Sequence, residues 1–392
     1  MMDDSYLDVT ADYVDDCKIT QKSYHSFTPY SSTALSYNEE IRINVQNMDS
    51  YTLPCDSYIF IEGKINKPSD AVGEVRFSNN GLAFLFYELR YEINEIEIQK
   101  LKSPGVASCL KAYCSYTPND LKTLDNVAWD SAMDSEDNKN FMTNNIFSGC
   151  IPLKHVFGFC EDYKKILLNC NQQLILNRAS TDLGAIHVVG EGATAAVDKN
   201  KKNTIELTKV ENANYQSETW DLCEYPVLPR NTSHSWTVKS SSLLEKPRFV
   251  LFGQQTDRKK NIGNDAGRFD HCQLKNLKVH LNSEVYPYED FRADFKNNTT
   301  SILYKAYTDI QKSYYERDNC EPLLSKHIFQ NYVPIVVVDL PYRNDNVKSS
   351  TVDLRIDFET ETVIPEKTSA YCLIVHDQII TYNPFSGDVR KL

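Results

Sequence analysis

Apolar and polar residues alternate in short runs along this chain, and that period of two predicts strands over most of its length. Ile41, Ile43 and Val45 alternate with Arg42, Asn44 and Gln46, giving one dry face and one wet face. Val352-Asp-Leu354-Arg-Ile356-Asp-Phe358-Glu is the clearest half-buried strand. Strands are also expected at 58–61, at 83–98 with a turn near Asn94-Glu95, and at 146–156, 166–177 and 203–210. A second series falls at 234–240, 247–253, 269–287, 328–340, 350–359, 370–376 and 378–383. Two segments switch to the helical period. Over 105–116, Val106, Cys109, Leu110 and Tyr113 share a face; over 300–316 the stripe is Leu303, Ala306, Tyr307, Ile310 and Tyr314.

The series runs twice. Leu89-Arg-Tyr-Glu-Ile93-Asn94 is echoed by Leu277-Lys-Val-His-Leu281-Asn282, and Lys111-Ala112-Tyr113 by Lys305-Ala306-Tyr307. A third echo pairs Ile146-Phe147-Ser-Gly-Cys-Ile151-Pro152-Leu153 with Ile328-Phe329-Gln-Asn-Tyr-Val333-Pro334-Ile335. The period is too long for a solenoid, whose repeats run to about 20–50 residues, so it predicts two similar domains in tandem. Prolines around Glu224-Tyr-Pro226-Val-Leu-Pro229 mark the junction. The expected division is an N-terminal flexible arm at 1–38, a first domain at 39–215 and a second at 216–392. Each half then holds about eight short strands and one helix, with long mixed loops rather than tight hairpins. That combination predicts an all-β protein with short helices: two tandem eight-stranded jelly rolls, a double jelly roll.

Composition narrows the function. A chain of 392 residues suits two cores, and 24 Tyr with 17 Phe favour strands. The net charge of −12 argues against direct, sequence-specific nucleic-acid binding. The basic runs Arg258-Lys259-Lys260 and Lys199-Asn-Lys201-Lys202 read as solvated loop tips. Asp3, Asp4, Asp8, Asp12, Asp15 and Asp16 make the arm acidic, so it would suit a basic partner. The 11 cysteines include no CxxC and several lie in apolar runs. They read as reduced, mostly buried thiols made in an intracellular reducing compartment. No leader is read at the acidic start, no run reaches the roughly 20 apolar residues of a membrane span, and the sequons at Asn231, Asn297 and Asn298 read as incidental.

No catalytic constellation emerges. The histidines are His25, His155, His187, His234, His271, His280, His327 and His376, and none forms the His-x-His pair that a cupin metal site needs. His155 and His376 read as hydrogen-bonded structural residues. His271 and Cys272 are expected to point to opposite faces of a strand, so they share no proton. Gly190-Glu-Gly192 lacks the Gly-Lys-Ser/Thr of a phosphate loop. Glu161-Asp162 and Glu359 with Glu361 read as ordinary surface carboxylates. The expectation is no catalytic, metal or cofactor-binding residue and no cofactor. Trp129, Tyr215, Trp220, Trp236 and Tyr342 remain as loop aromatics for an interaction surface or for covering the sandwich ends.

Several stretches resemble the double jelly-roll major capsid proteins of the Polinton/Maverick and adintovirus-like DNA virus lineage, including relatives encoded in animal genomes. They are Asn79-Asn80-Gly-Leu-Ala-Phe-Leu-Phe-Tyr-Glu-Leu-Arg-Tyr-Glu-Ile-Asn94, Gly158-Phe-Cys-Glu-Asp-Tyr-Lys-Lys165, Leu244-Glu-Lys-Pro-Arg-Phe249 and Phe269-Asp-His-Cys272. The resemblance spans 39–392 and rests on the order of the matches rather than on one motif. It implies a structural role in a virion capsid: a homotrimer whose six domains form a pseudo-hexagonal capsomer that tiles an icosahedral shell. The implied partners are the chain itself, neighbouring capsomers and penton or minor capsid proteins. A tandem β-sandwich that binds carbohydrate or protein through its loops is the alternative, with a bicupin-like enzyme behind it.

Overall fold

The computed structural model describes residues 25–30, 35–45, 52–130, 133, 137–164, 167, 170–190, 202–213, 219–241, 247–315, 317–340, 352–376, 380–383, 386 and 388–391. Expectations for the acidic residues Asp3 to Asp16, for Tyr215 and Tyr342, for Glu191-Gly192 and for Lys199 to Lys201 fall outside these residues. Strands dominate. The first half carries β1 (Glu40–Val45), β2 (Tyr58–Asn66), β3 (Glu74–Phe77), β4 (Phe86–Ile93), β5 (Ile96–Lys102), β6 (Met142–Thr143), β7 (Ile146–Pro152), β8 (Gln172–Arg178), β9 (Ile186–Val189) and β10 (Thr204–Ala213). The second carries β11 (Thr219–Tyr225), β12 (Ser233–Ser241), β13 (Pro247–Thr256), β14 (Leu274–Leu281), β15 (Glu284–Tyr286), β16 (Val336–Asp339), β17 (Val352–Thr360), β18 (Thr368–His376), β19 (Ile380–Tyr382) and β20 (Val389–Lys391). The longer helices are α1 (Pro104–Ser115), α2 (Ser301–Ser313) and α3 (Lys326–Tyr332).

Each half folds as two four-stranded antiparallel sheets, and the strand orders correspond except at two edges, where β6 and β11 have no counterpart. One sheet runs β1-β8-β4-β5 in the first half and β12-β17-β14-β15 in the second. The other runs β10-β2-β7-β6 and β11-β18-β13-β16, so β18, β13 and β16 stand where β10, β2 and β7 stand. Among these strands the chain crosses from one sheet to the other at each step except the hairpins β4–β5, β6–β7 and β14–β15, which makes each half an eight-stranded jelly roll. The short ribbons β3–β9 and β19–β20 lie beside them.

Alternation sets the cores. Ile41, Ile43 and Val45 of β1 are buried, as are Val352, Leu354, Ile356 and Phe358 of β17. Each such side chain removed from water stabilises the fold by about 1.5–3 kcal/mol. β18 departs from the pattern, being buried at every position. It lies inside its sheet, with its own sandwich on one face and α1 of the other half on the other, so a two-sided apolar run replaces alternation.

The hairpin echo is structural. Asn94 and Asn282 end β4 and β14 with positive φ of 47° and 54°, a region Asn tolerates better than most residues. Asn94 N–H donates to Asn171 O at 2.8 Å and Asn94 Oδ1 accepts from Asn171 N–H at 2.8 Å. Asn282 exchanges the same two bonds with Asp353, each at 2.9 Å. One turn chemistry thus clips the hairpin to the neighbouring strand twice.

The third echo is not structural. Ile328–Tyr332 lies in α3, whose N-cap Ser325 Oγ accepts from Ile328 N–H at 3.3 Å. The counterpart of β7 is β16, because β16 pairs with β13 as β7 pairs with β2. Other boundaries move too. The expected strand at 146–156 ends at Pro152 and continues as a helical turn, Leu153–Val156. The expected strand at 269–287 begins only at Leu274, because Cys272 and Gln273 take positive φ.

Candidate functional site at the seam between the jelly rolls

Among the described residues, a concentrated set of buried polar contacts lies where the two halves meet, around α1. This helix starts with Pro104 at its first position, where no N–H is needed. All twelve of its residues are buried, not only the expected face of Val106, Cys109, Leu110 and Tyr113. The second half covers its remaining side. A helix leaves its last carbonyls without intrahelical donors, and here the other jelly roll supplies them. Tyr307 Oη–H donates to Tyr113 O at 2.8 Å, Arg317 Nη1–H to Ser115 O at 3.0 Å, and Gln311 Nε2–H to Tyr116 O at 3.2 Å. Arg317 also brings a positive charge to the negative end of the helix dipole.

Lys111 is the only charged residue of α1 and is 3% exposed. Its ammonium pairs with Glu161 and faces the rings of Trp220 at 4.9 Å, Tyr116 at 5.1 Å and Tyr315 at 5.9 Å. Trp220 and Tyr315 come from the second half, so a buried charge is shared across the seam through cation–π contact. Burial, then the Glu161 carboxylate, holds the Tyr116 and Tyr315 hydroxyls well above the usual phenol range.

A loop between β13 and β14 reaches the other way. Asn79 N–H donates to Asp265 Oδ1 at 3.0 Å, and Tyr113 Oη–H donates to Gly267 O at 2.7 Å. Asn79 Nδ2–H donates to Tyr113 Oη at 2.5 Å, while Asn79 Oδ1 accepts from Asp130 N–H at 2.7 Å. A Cβ on Gly267 would stand 2.5 Å from Asn79 O, so only glycine permits this approach. Arg258 braces the loop, clamping Asp270 with two bonds of 3.0 and 2.6 Å and donating to Asp265 O at 2.9 Å. Val188 N–H of β9 donates to Ile262 O at 2.9 Å.

Beneath the seam, His155 is fully buried. Its Nε2 lies 2.8 Å from Asn80 Oδ1 and its Nδ1 lies 3.2 Å from Tyr116 Oη. Because the amide oxygen can only accept, the network assigns the proton to Nε2 and leaves Nδ1 to accept from Tyr116. Burial, aided by the Lys111 and Lys154 charges, lowers the His155 pKa to about 3. The residue is neutral and structural, as its apolar setting in the sequence predicts.

Several expected surface residues are displaced inward. Trp129, Trp220 and Trp236 are 2%, 1% and 7% exposed and belong to the core. Trp220 lies on β11 and Trp236 on β12, so of the two roles left open for these rings the structure shows covering of the sandwiches. Arg258 is no solvated loop tip, and Glu161 is no ordinary surface carboxylate. His271 and Cys272 lie in a turn rather than a strand, and they hold separate partners: His271 Nδ1 accepts from Gln273 N–H at 2.9 Å, and Cys272 Sγ lies 3.6 Å from Thr256 Oγ1. Burial raises the Cys272 thiol to about 11. Among the described residues, no three His, Cys, Asp or Glu side chains are grouped to hold a metal ion. No helix of the described residues is long and apolar enough to cross a membrane.

Two like-wound jelly rolls joined through a buried seam define a double jelly-roll protein. The model of the double jelly roll-like domain family matches residues 75–380, and the chain belongs to that family. Its fold is similar to that of the Sputnik virophage structure at a TM-score of 0.59, with 12% identity over 98% of this chain and 91% of that one. The mavirus major capsid protein gives 0.55 and 12%, covering 97% and 92%. VP54 of PBCV-1, fitted into a reconstruction of Sputnik, gives 0.57 and 9%, covering 95% and 98%. No curated protein sequence matches the chain.

Proposed function

We propose that this chain is a major capsid protein that self-associates as a homotrimeric, pseudo-hexameric capsomer and tiles an icosahedral virion shell. The observation that carries the reading is the seam. Two jelly rolls of matching strand order are held at a fixed angle by helix caps, a shared lysine and a glycine contact. A ring built head to tail closes only if that angle is constant, and three rigid doubled blocks then present six similar faces. The low-identity likeness to capsid proteins supports the fold such a block requires.

In this reading residues 39–215 and 216–392 are the two blocks, and residues 1–38 form an arm for a basic partner. Tyr37, at the end of that arm, donates to Asp182 of the first jelly roll at 2.6 Å, which would root it there. Neighbouring capsomers and penton or minor capsid proteins are the further partners. The proposed lineage is the Polinton/Maverick and adintovirus-like one, or an animal-genome relative, and the proposed role is structural rather than enzymatic.

Light scattering with electron microscopy of the purified chain tests this. A species of three times the 45.0 kDa chain mass, going on to shells or sheets, is expected. A monodisperse monomer at every salt and pH, with no assemblies, sinks the proposal.

A further inference from the structure

Cys223 of β11 and Cys372 of β18 stand directly opposite each other in the antiparallel ladder. Cys372 is also opposite Phe252 of β13, whose ring meets Phe358 of the facing sheet at 5.1 Å. Two residues from Cys223 on the same strand face, Tyr225 meets Trp236 of the facing sheet at 5.8 Å. Residues opposite each other in a ladder share a face, as do residues two apart on a strand. Both thiols therefore point into the second sandwich, side by side. Opposed antiparallel residues have Cα atoms about 4.5–5.5 Å apart, within the roughly 4.4–6.8 Å that a disulfide spans.

We propose that Cys223 and Cys372 form a redox-controlled pair, open in a reducing compartment and closed to a cross-strand disulfide by a peroxide. Cys223 is half-buried on the edge strand of its sheet, whereas Cys372 is fully buried. Burial, and Cys223 beside it, holds the Cys372 thiol well above the ordinary range, so the edge thiol reacts first. Its thiolate attacks one peroxide oxygen, the O–O bond breaks, and a sulfenic acid and water result. The Cys372 sulfur then attacks the sulfenyl sulfur, loses its proton and expels a second water. Two thiols and one hydrogen peroxide thus give one disulfide and two waters.

The bond would act on the seam. β11 carries Trp220 on its opposite face, against the buried Lys111 of the first jelly roll. Tying β11 to β18 fixes the strand that supplies that ring. The tie forms independently of whether the chain builds a capsid.

The test treats the folded full chain with hydrogen peroxide, alkylates free thiols and digests without reduction. The expected result is one joined peptide pair containing Cys223 and Cys372, two hydrogens lighter than the separate peptides and split by dithiothreitol. The oxidised protein should melt on the order of 5 °C higher, a gain reversed by reduction and absent from Cys223→Ser. Recovery of both cysteines alkylated, over-oxidised or joined to other cysteines overturns the proposal. That peptide map uses the native sequence, so it decides even if the serine variant folds poorly.

Discussion

Replacing Tyr307 with Phe removes one oxygen from the seam and nothing else. That hydroxyl donates to Tyr113 O at 2.8 Å and accepts from Leu324 N–H at 3.2 Å, and Tyr307 is 1% exposed. The substitution leaves two buried backbone groups without these partners. Each unsatisfied group costs about 1–3 kcal/mol, and the more apolar ring returns part of that. The expected net loss is about 2–4 kcal/mol. Urea unfolding followed by tryptophan fluorescence reads it as a lower midpoint at unchanged slope, since little surface changes. Tyr304→Phe is the control: its hydroxyl donates to Leu324 O within the second half at 2.8 Å, in a part-buried setting. It should cost about 0.5–1.5 kcal/mol. A Tyr307→Phe protein within about 0.5 kcal/mol of the parent would falsify the view that the second half caps α1, because unmet buried carbonyls cannot be that cheap.

Three further outcomes are expected. His155 has a depressed pKa of about 3 when folded, so between that value and about 6.5 the unfolded chain binds the extra proton. Stability is then full above about pH 6.5 and falls by about 1.4 kcal/mol per pH unit from this group as pH drops through the window. His155→Gln should flatten the urea midpoint against pH between 4 and 6.5, and an unchanged slope refutes the assignment. Gly267→Ala places a Cβ 2.5 Å from Asn79 O and should cost about 1–3 kcal/mol. Gly184→Ala, with its nearest neighbour at 3.4 Å, should lose less in the same thermal melt. Asn94→Ala and Asn282→Ala should each lose about 1–3 kcal/mol, from one hydrogen bond plus left-handed strain, while the Gly variants recover the strain part. Markedly unequal losses at the two sites would show that the matched hairpins are not energetic equivalents.

Period-two patterning located most strands because burial of one face is a local rule. It failed where a second surface arrived from far away in the sequence. β18 and α1 each carry the opposite half on one face, and Trp220 is buried at that same seam, whereas Trp129 and Trp236 are covered by rings from other elements within their own halves, among them Tyr113 and Tyr225. Lys111 stood in the repeated Lys-Ala-Tyr triplet, and its isolation among apolar residues was the one visible sign of a special role. Its carboxylate and two of its three rings come from segments separated from α1 by long stretches of chain. The false third echo shows the converse: an apolar spacing of Ile328, Phe329 and Val333 suits a helix as well as a strand, and the Ser325 cap decided it.

By itself the sequence determined two tandem β sandwiches, two helices and the Asn-ended hairpins, since each depends on residues a few positions apart. Only the tertiary structure decided that α1 ends on another domain's side chains, that Asp265 and Gly267 reach Asn79 and Tyr113, and that Cys223 faces Cys372. Those contacts join residues 100 or more positions apart in most cases. Their geometry is set by how whole sheets pack, and no local period encodes that.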